Sequence, residues 1–221
     1  MFSPARPSPL IVDDCYEQGS GEKIQLVPIN LPDRPARYKD KVYPAYEVPP
    51  LEHNNEVKGE SLDLIGYIVS HFEGPSLFPD DPGKKEFGDE LLSYTDSFNR
   101  SVFSSVKQDE IESDDWTFDY IETALSKFED GPFFLGKFSL VDIAYAPFLE
   151  RFQLSLMDLN KYDIAAGRPK LAAWIDEMNK NVAYKQTRCG PKELVELYRR
   201  RFSVIIFLQH VRKSIIVVAK C

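Results

Sequence analysis

The second half of the chain carries apolar residues at helical spacing. Downstream of the breaker cluster Pro79-Asp-Asp-Pro82, an apolar stripe continues over roughly five helical turns, and others follow it. This periodicity predicts an all-helical region over residues 83–202, with the breaker cluster as the linker before it. The predicted helical segments are Phe87–Val106, Trp116–Phe128, Arg168–Met178 with Pro169 in its first turn, and Pro191–Phe202.

A capping box is predicted at Ser139-Leu-Val-Asp142. Ser139 can bind the amide three residues on while Asp142 reaches back, and Phe138 can pack on Ile143 as a hydrophobic staple. We assign this pair a role in folding and not in catalysis. Pro147 lies inside the helix that follows and predicts a kink.

The first half of the chain shows shorter periods. Residues 24–31 begin with alternating apolar and polar positions and predict an edge strand. Residues 48–61 predict a strand that opens with proline, a two-residue turn at Asn54-Asn55, a short second strand and a helix start at Glu60-Ser61. We expect Ser61 to be the N-cap, because apolar residues follow it at helical spacing: Leu62, Ile65, Ile68, Val69 and Phe72.

This stretch has the groups to hold a small peptide. If the Val48–Pro49 bond is cis, the backbone of Val48 can offer its N–H and C=O to an extended ligand. The Ser61 hydroxyl, the first-turn N–H groups and the helix dipole suit a carboxylate, and Glu60 suits an ammonium group. A ligand with all three features has the character of the γ-glutamyl and cysteinyl parts of glutathione.

Two motifs carry a family resemblance. The motifs V-P-x-L-E at 48–52 and E-S-x-D-L-I-x-Y-I at 60–68 resemble the glutathione-binding half of a thioredoxin-like glutathione transferase domain. Further sequence motifs are similar to those of the lambda class, and the resemblance runs from about Ile24 to Phe202. These motifs are Leu26-Val-Pro-Ile-Asn-Leu-Pro-Asp-Arg-Pro35, Lys39-Asp-Lys-Val-Tyr-Pro44, Phe72-Glu-Gly-Pro-Ser-Leu77, Gly131-Pro-Phe-Phe-Leu-Gly136, Ser139-Leu-Val-Asp-Ile-Ala-Tyr145 and Gly167-Arg-Pro-Lys-Leu-Ala-Ala-Trp174.

The resemblance implies an α+β fold of two domains. Residues 24–78 are expected to form a truncated thioredoxin-like domain, and residues 83–202 an all-helical bundle. Residues 1–23 are a divergent N-terminus and residues 203–221 an apolar tail outside the family pattern. The first strand of the family sheet is missing, and residues 9–13 are the only local segment that could replace it.

The same resemblance implies the chemistry of the site. Glutathione is expected as co-substrate of a transferase or thioltransferase that acts on small hydrophobic or aromatic molecules. Val48, Pro49, Glu60 and Ser61 are the expected glutathione-binding residues. Arg34 joins them, because the related omega class has a basic residue near the glycyl carboxylate; a solvated loop arginine is the alternative. The resemblance also implies a monomer.

The N-terminus departs from the family in its chemistry. Lambda-type proteins carry a Cys-Pro turn at the start of their first helix, where the thiolate forms readily. An ungapped count places Ala5-Arg6 at that position, so the catalytic cysteine is missing. Cys15 is the nearest thiol, but Asp13, Asp14 and Glu17 flank it and disfavour its thiolate. We therefore name no catalytic residue, with Cys15 as a weak surrogate and an unreactive surface thiol as the alternative.

Three functions follow from these residues. The first is a lambda-type glutathione transferase that is catalytically impaired by the absent cysteine. The second is a non-catalytic protein that binds glutathione or its conjugates through Val48, Glu60 and Ser61. The third is a structural or interaction protein that keeps the helical domain and binds no thiol.

Composition narrows the partners and the compartment. The 221 residues carry a net charge of −8, which argues against nucleic acid and an anionic membrane as partners. Three cysteines without disulfide or zinc spacing fit a reducing, cytoplasmic environment. His53, His71 and His210 are scattered, and we interpret them as surface or half-buried residues and not as metal ligands. The apolar runs at 204–208 and 215–219 are each too short to span a bilayer.

Overall fold

A computed structural model describes residues 50–72, 76–108, 116–188 and 190–200 of the chain. Several sequence predictions lie outside these ranges. They are the strand over 24–31, the segment 9–13 that could replace the missing first strand, the tail over 203–221, and the site candidates Cys15, Arg34, Val48 and Pro49.

The chain enters the described region through a two-stranded hairpin. Strand β1 (Leu51–His53) begins after Pro50 and pairs antiparallel with β2 (Glu56–Lys58), so that Leu51 lies opposite Lys58. Asn54 and Asn55 connect the strands with φ angles of 53° and 64°. Two positive φ angles in a two-residue loop match the twist of the strands, and asparagine tolerates that conformation better than most residues. The predicted Asn54-Asn55 turn is confirmed.

Helices make up most of the rest of the described chain, as the hydrophobic period predicts. None of the helices in the described ranges combines the length and apolar character needed to cross a membrane. The helices are α1 (Ser61–His71), α2 (Pro82–Gln108), α3 (Trp116–Leu125), α4 (Leu140–Asn160), α5 (Pro169–Met178), α6 (Val182–Thr187) and α7 over residues 191–200.

Helix α1 is packed into the same apolar core as the helices that follow it. Its inner face buries Ile65 and Ile68 in one cluster with Leu77, which lies in the segment between α1 and α2. The backbone N–H of Leu140, at the start of α4, donates to the carbonyl oxygen of Leu77 at 3.0 Å. The start of α4 is therefore tied to the segment that follows α1.

Aromatic rings fill the centre of the helical region. Phe98 of α2 is fully buried, and its ring lies edge-on or tilted to those of Phe118, Tyr145 and Phe152 at 5.5–6.0 Å between centroids. The hydroxyl of Tyr145 donates to the carbonyl of Leu91 at 2.9 Å, which satisfies its polar end inside the core. The apolar stripe predicted for α2 is thus largely core.

The carboxyl group of Asp142 lies buried at the start of α4. It accepts hydrogen bonds from the N–H of Ser139 (2.9 Å), the Ser139 hydroxyl (2.8 Å), the N–H of Phe134 (3.2 Å) and the indole N–H of Trp174 (2.7 Å). Burial raises the pKa of Asp142 to about 6, although the four donors oppose the shift. The capping box predicted at Ser139 and Asp142 is confirmed, and α4 continues through Pro147.

A tight turn brings the Phe134 amide to Asp142. The N–H of Gly136 donates to the carbonyl of Phe133 at 2.9 Å, and Gly136 has a φ of +85°, a conformation that favours glycine. A side chain on Gly131 would place its Cβ only 1.9 Å from the carbonyl oxygen of Gly136. Both glycines of the 131–136 segment are therefore required by close backbone packing.

Helix α5 begins as predicted, with Pro169 in its first turn. The carboxylate of Glu122, on α3, accepts from the N–H groups of Lys170 (3.0 Å) and Leu171 (2.8 Å). A side chain from the neighbouring helix thus satisfies the free amides of α5 and fixes the two helices against each other.

Trp174→Phe should destabilise the protein by about 2–3 kcal/mol. The substitution keeps an aromatic ring but removes one of the four donors to the buried Asp142 carboxylate, and hydrogen bonds to charged groups contribute energies of this order. The measurement is the free energy of unfolding in urea, followed by circular dichroism.

Trp116→Phe is the matched control, because Trp116 is 52% exposed and should change stability by less than about 0.5 kcal/mol. Equal effects at the two positions would contradict a special role for the indole bond to Asp142.

Candidate functional site

The N-terminus of α1, residues 60–63, is called the α1 mouth, and it begins at Glu60. The carbonyl of Glu60 accepts the first helical hydrogen bond, from the N–H of Leu64 at 2.9 Å, while the Glu60 backbone itself is not helical. Glu60 is therefore the N-cap and Ser61 the first helical residue. The prediction that Ser61 is the N-cap was wrong by one position, because Glu60 leaves the helical conformation and Ser61 does not.

Glu60 holds a costly backbone conformation. Its φ of 63° and ψ of 112° lie where residues with a side chain are rare, and such a residue costs about 1–3 kcal/mol. Its exposed side chain makes no capping hydrogen bond to the helix. Strain of this kind persists where the surrounding structure imposes it, and it is concentrated at ligand sites.

The mouth of α1 can bind both charges of an α-amino acid group. The N–H groups of Ser61, Leu62 and Asp63 precede the first helical bond and have no acceptor within the helix. Together with the positive end of the helix dipole they favour a carboxylate. Glu60 and Asp63 are exposed carboxylates beside them and favour an ammonium group.

Aromatic and imidazole rings fix the hairpin on the outer face of α1. Nδ1 of His53, on β1, lies 2.9 Å from the hydroxyl oxygen of Tyr67. The His71 ring stacks on the Tyr67 ring at 3.8 Å, and the ammonium of Lys58, on β2, lies 4.8 Å from the Tyr67 ring centroid. The Phe72 ring is 5.0 Å from that of His53. His53 is half-buried and His71 exposed, as expected, but their meeting at Tyr67 was not predicted.

Of the residues predicted for the site, the structure brings Glu60 and Ser61 together at the mouth of α1. Arg34, Val48, Pro49 and Cys15 lie outside the described ranges, so their part in the site stays a prediction. Among residues 50–72, 76–108, 116–188 and 190–200, no group of three His, Cys, Asp or Glu side chains could hold a metal ion.

Comparison with known proteins defines the class. Residues 16–76 match the N-terminal domain of glutathione S-transferases, and residues 117–177 match the C-terminal domain. The chain belongs to the glutathione S-transferase family. The hairpin and the α1 mouth fall within the first match, and α3 to α5 fall almost entirely within the second.

Named relatives support the predicted lambda class. The chain is 61% identical over 184 residues to glutathione S-transferase L2, chloroplastic, of Arabidopsis thaliana, covering 83% of this chain and 63% of that protein. It is 57% identical over 185 residues to glutathione S-transferase L3 of the same plant, covering 84% and 79%. The match thus spans less than two thirds of the chloroplastic relative.

A solved structure confirms the fold. The tau-class glutathione S-transferase of mango, Mangifera indica, superposes with a TM-score of 0.74 at 23% identity, over 87% of this chain and 94% of that one. The predicted α+β fold, a short thioredoxin-like region followed by a helical domain, is therefore correct.

Glu60→Gly should be more stable than Glu60→Ala by about 1 kcal/mol. Both variants remove the side chain, but glycine adopts a φ of 63° without strain, and this gain exceeds its entropy cost in the unfolded chain. Urea denaturation of the two variants measures the difference directly.

The control is Glu90, an exposed residue inside α2, where the stability difference between the glycine and alanine variants should have the opposite sign. There Glu90→Gly should be less stable than Glu90→Ala by about 1 kcal/mol. An alanine variant at position 60 that is the more stable of its pair would contradict the strain assigned to Glu60.

Proposed function

We propose that this chain binds glutathione at the mouth of α1 as a lambda-type member of its family. The observation that carries the proposal is the Glu60 backbone, held in a strained conformation directly before three amides without helical acceptors. These groups complement the carboxylate and ammonium of the γ-glutamyl moiety. The sequence words shared with the family at positions 48–52 and 60–68 support the same site.

The bound peptide would extend from α1 toward the segment before β1. Ser61 and the first-turn amides would hold the γ-glutamyl carboxylate, and Glu60 the ammonium. The cysteinyl backbone would pair with Val48, directly before Pro49, in the manner of strand addition. Arg34 would bind the glycyl carboxylate by a charge-assisted hydrogen bond.

We further propose that catalysis in this polypeptide is impaired. A thioltransferase of this type needs a cysteine whose pKa is lowered at a helix N-terminus. The printed sequence has Ala5-Arg6 at the position aligned with the family Cys-Pro, and the acidic neighbours of Cys15 disfavour its thiolate. A non-catalytic protein that binds glutathione or its conjugates is the alternative that fits these residues.

The names of the relatives favour the transferase function. Relatives called glutathione S-transferase L2 and L3 share more than half of their aligned residues with this chain. In an active form, glutathione would be the co-substrate and small hydrophobic or aromatic molecules the acceptors, as in detoxification. We propose a cytoplasmic monomer; the name of L2 places that relative in the chloroplast.

Ser61→Ala and Glu60→Ala should each weaken glutathione binding by about 10-fold or more, because each removes a hydrogen bond or ion pair to a charged group of the ligand. Retention on glutathione-agarose, with dissociation constants from calorimetry, measures the loss. Ser93→Ala and Glu90→Ala, at exposed positions on α2, are matched controls and should bind like the wild type. A wild-type chain that is not retained would contradict the proposal and favour a structural or interaction protein.

The wild-type chain should show no glutathione-dependent turnover of hydroxyethyl disulfide above the uncatalysed rate, since the printed sequence lacks a cysteine with a lowered pKa at the family position. Turnover that is abolished by Cys15→Ser, but not by Cys189→Ser, would contradict the impairment and make Cys15 the nucleophile. Turnover unaffected by either change would point to another group.

A further inference from the structure

The joint between the hairpin and α1 is two residues long. Lys58 ends β2 and Ser61 begins α1, so only Gly59 and Glu60 lie between them. Each residue contributes two soft backbone dihedrals, because the peptide bond itself is planar. The conformation of so short a joint is therefore set largely by the positions at which its two ends are held.

The strain in this joint lies on the residue that is less suited to it. Among the described residues, a positive φ occurs at Glu60 but not at its neighbour Gly59. Glycine adopts a positive φ at little cost, whereas glutamate does not. The conformation of Glu60 is therefore not explained by the preferences of the joint itself, and it must be imposed by what the joint connects.

His53 fixes the hairpin on α1. Its Nδ1 lies 2.9 Å from the hydroxyl oxygen of Tyr67, and its ring lies 5.0 Å from that of Phe72, directly after the last residue of α1. Because β1 and β2 are paired with each other, these contacts of β1 also position β2. Helix α1, at the other end of the joint, is held in the core by Ile65 and Ile68.

Lys58, the residue next to the joint, makes a further contact with the same tyrosine. Its ammonium lies 4.8 Å from the centroid of the Tyr67 ring and 3.1 Å from the carboxylate of Glu56. Each strand of the hairpin has only three residues, and an isolated two-stranded hairpin is marginal in water unless it packs against another element. Side-chain contacts with α1 therefore set the orientation of the hairpin.

We infer that the contacts of the hairpin with Tyr67 and Phe72 impose the strained conformation of Glu60, and so keep the α1 mouth in its binding form before a ligand arrives. The use of the mouth in binding rests on the proposed function, which this inference deepens by naming what preorganises the site for the γ-glutamyl group. All the groups involved lie within residues 51–72. His53 is a positioning residue and is not assigned a contact with the ligand.

His53→Ala tests the origin of the strain without any ligand, because it removes both contacts of the histidine. The readout is the ratio of the unfolding equilibrium constants, in urea, of the Glu60→Ala and Glu60→Gly variants. With His53 present, glycine should be favoured about 5-fold, because it has no strain at a positive φ. With His53→Ala this advantage should vanish or change sign, since alanine is favoured at a position released from a positive φ.

His71→Ala is the matched control. His71 also contacts Tyr67, with 3.8 Å between the ring centroids, but it lies on α1 itself, so its loss leaves the hairpin contacts of His53 in place. The glycine advantage at position 60 should stay near about 5-fold in this background. Tyr67→Phe is a milder second variant that loses only the hydroxyl, and it should lower the advantage without abolishing it. It replaces His53→Ala should that variant fail to fold.

Glutathione binding tests what the strain does for the α1 mouth. When Glu60 relaxes, only a fraction of the molecules presents the mouth in its binding form, and the apparent dissociation constant rises by the inverse of that fraction. Calorimetry should show a rise of about 3- to 10-fold for His53→Ala, the range expected for contacts of this kind, and no rise for His71→Ala.

The two measurements keep this inference distinct from the proposed function. A glycine advantage that persists in both His53→Ala and Tyr67→Phe would overturn the inference and leave the glutathione site standing. Equal weakening of binding in His53→Ala and His71→Ala would also overturn it, since that pattern reports a general loss of structure. A wild-type chain that binds no glutathione would overturn the proposed function, while the ligand-free comparison would still decide whether the hairpin imposes the strain.

Discussion

The buried carboxylate of Asp142 is the constraint on which the described structure depends. A charge in an apolar core is costly unless donors surround it, and here the donors come from the 131–136 turn, the start of α4 and Trp174 of α5. These three segments must therefore be in place together. The first residue of α4 in turn binds the carbonyl of Leu77, which shares the core with the inner face of α1. The start of α4, which Asp142 helps to fix, is thus linked through Leu77 to the core that buries the inner face of α1.

The α1 mouth differs from Asp142 in its energetics. Asp142 is buried and has all its hydrogen bonds, whereas Glu60 at the α1 mouth is exposed and has a strained backbone. The Glu60 conformation persists because both of its neighbours are fixed, the helix by the core and the hairpin by Tyr67. The strain keeps the Glu60 carbonyl in the helix while the chain before it turns away. The first amides of α1 are therefore already ordered before any ligand binds, which would lower the entropy cost of binding an anion at the proposed site.

Sequence reasoning succeeded where the rules are local. The Asn54-Asn55 turn, the Ser139–Asp142 capping box and the helical stripe of α2 depend on residues within a few positions of one another, and all three are confirmed. It failed at longer range and at special backbone conformations. Glutamate carries no signal for a positive φ, so the N-cap was placed on Ser61. The contacts of His53 with Tyr67 and of Trp174 with Asp142 depend on the fold and could not be seen in spacing.

The proposed binding and the thiol chemistry of the family have separate physical origins. Binding at the proposed α1 site would use backbone amides, a helix dipole and one strained residue, and the hairpin and the core hold all of these in place. Thiol chemistry uses a thiolate, which needs a cysteine in a second electropositive environment on a different segment. The family cysteine is not among the groups of the proposed α1 site. The proposed glutathione site therefore does not depend on the catalytic impairment that we propose for this chain.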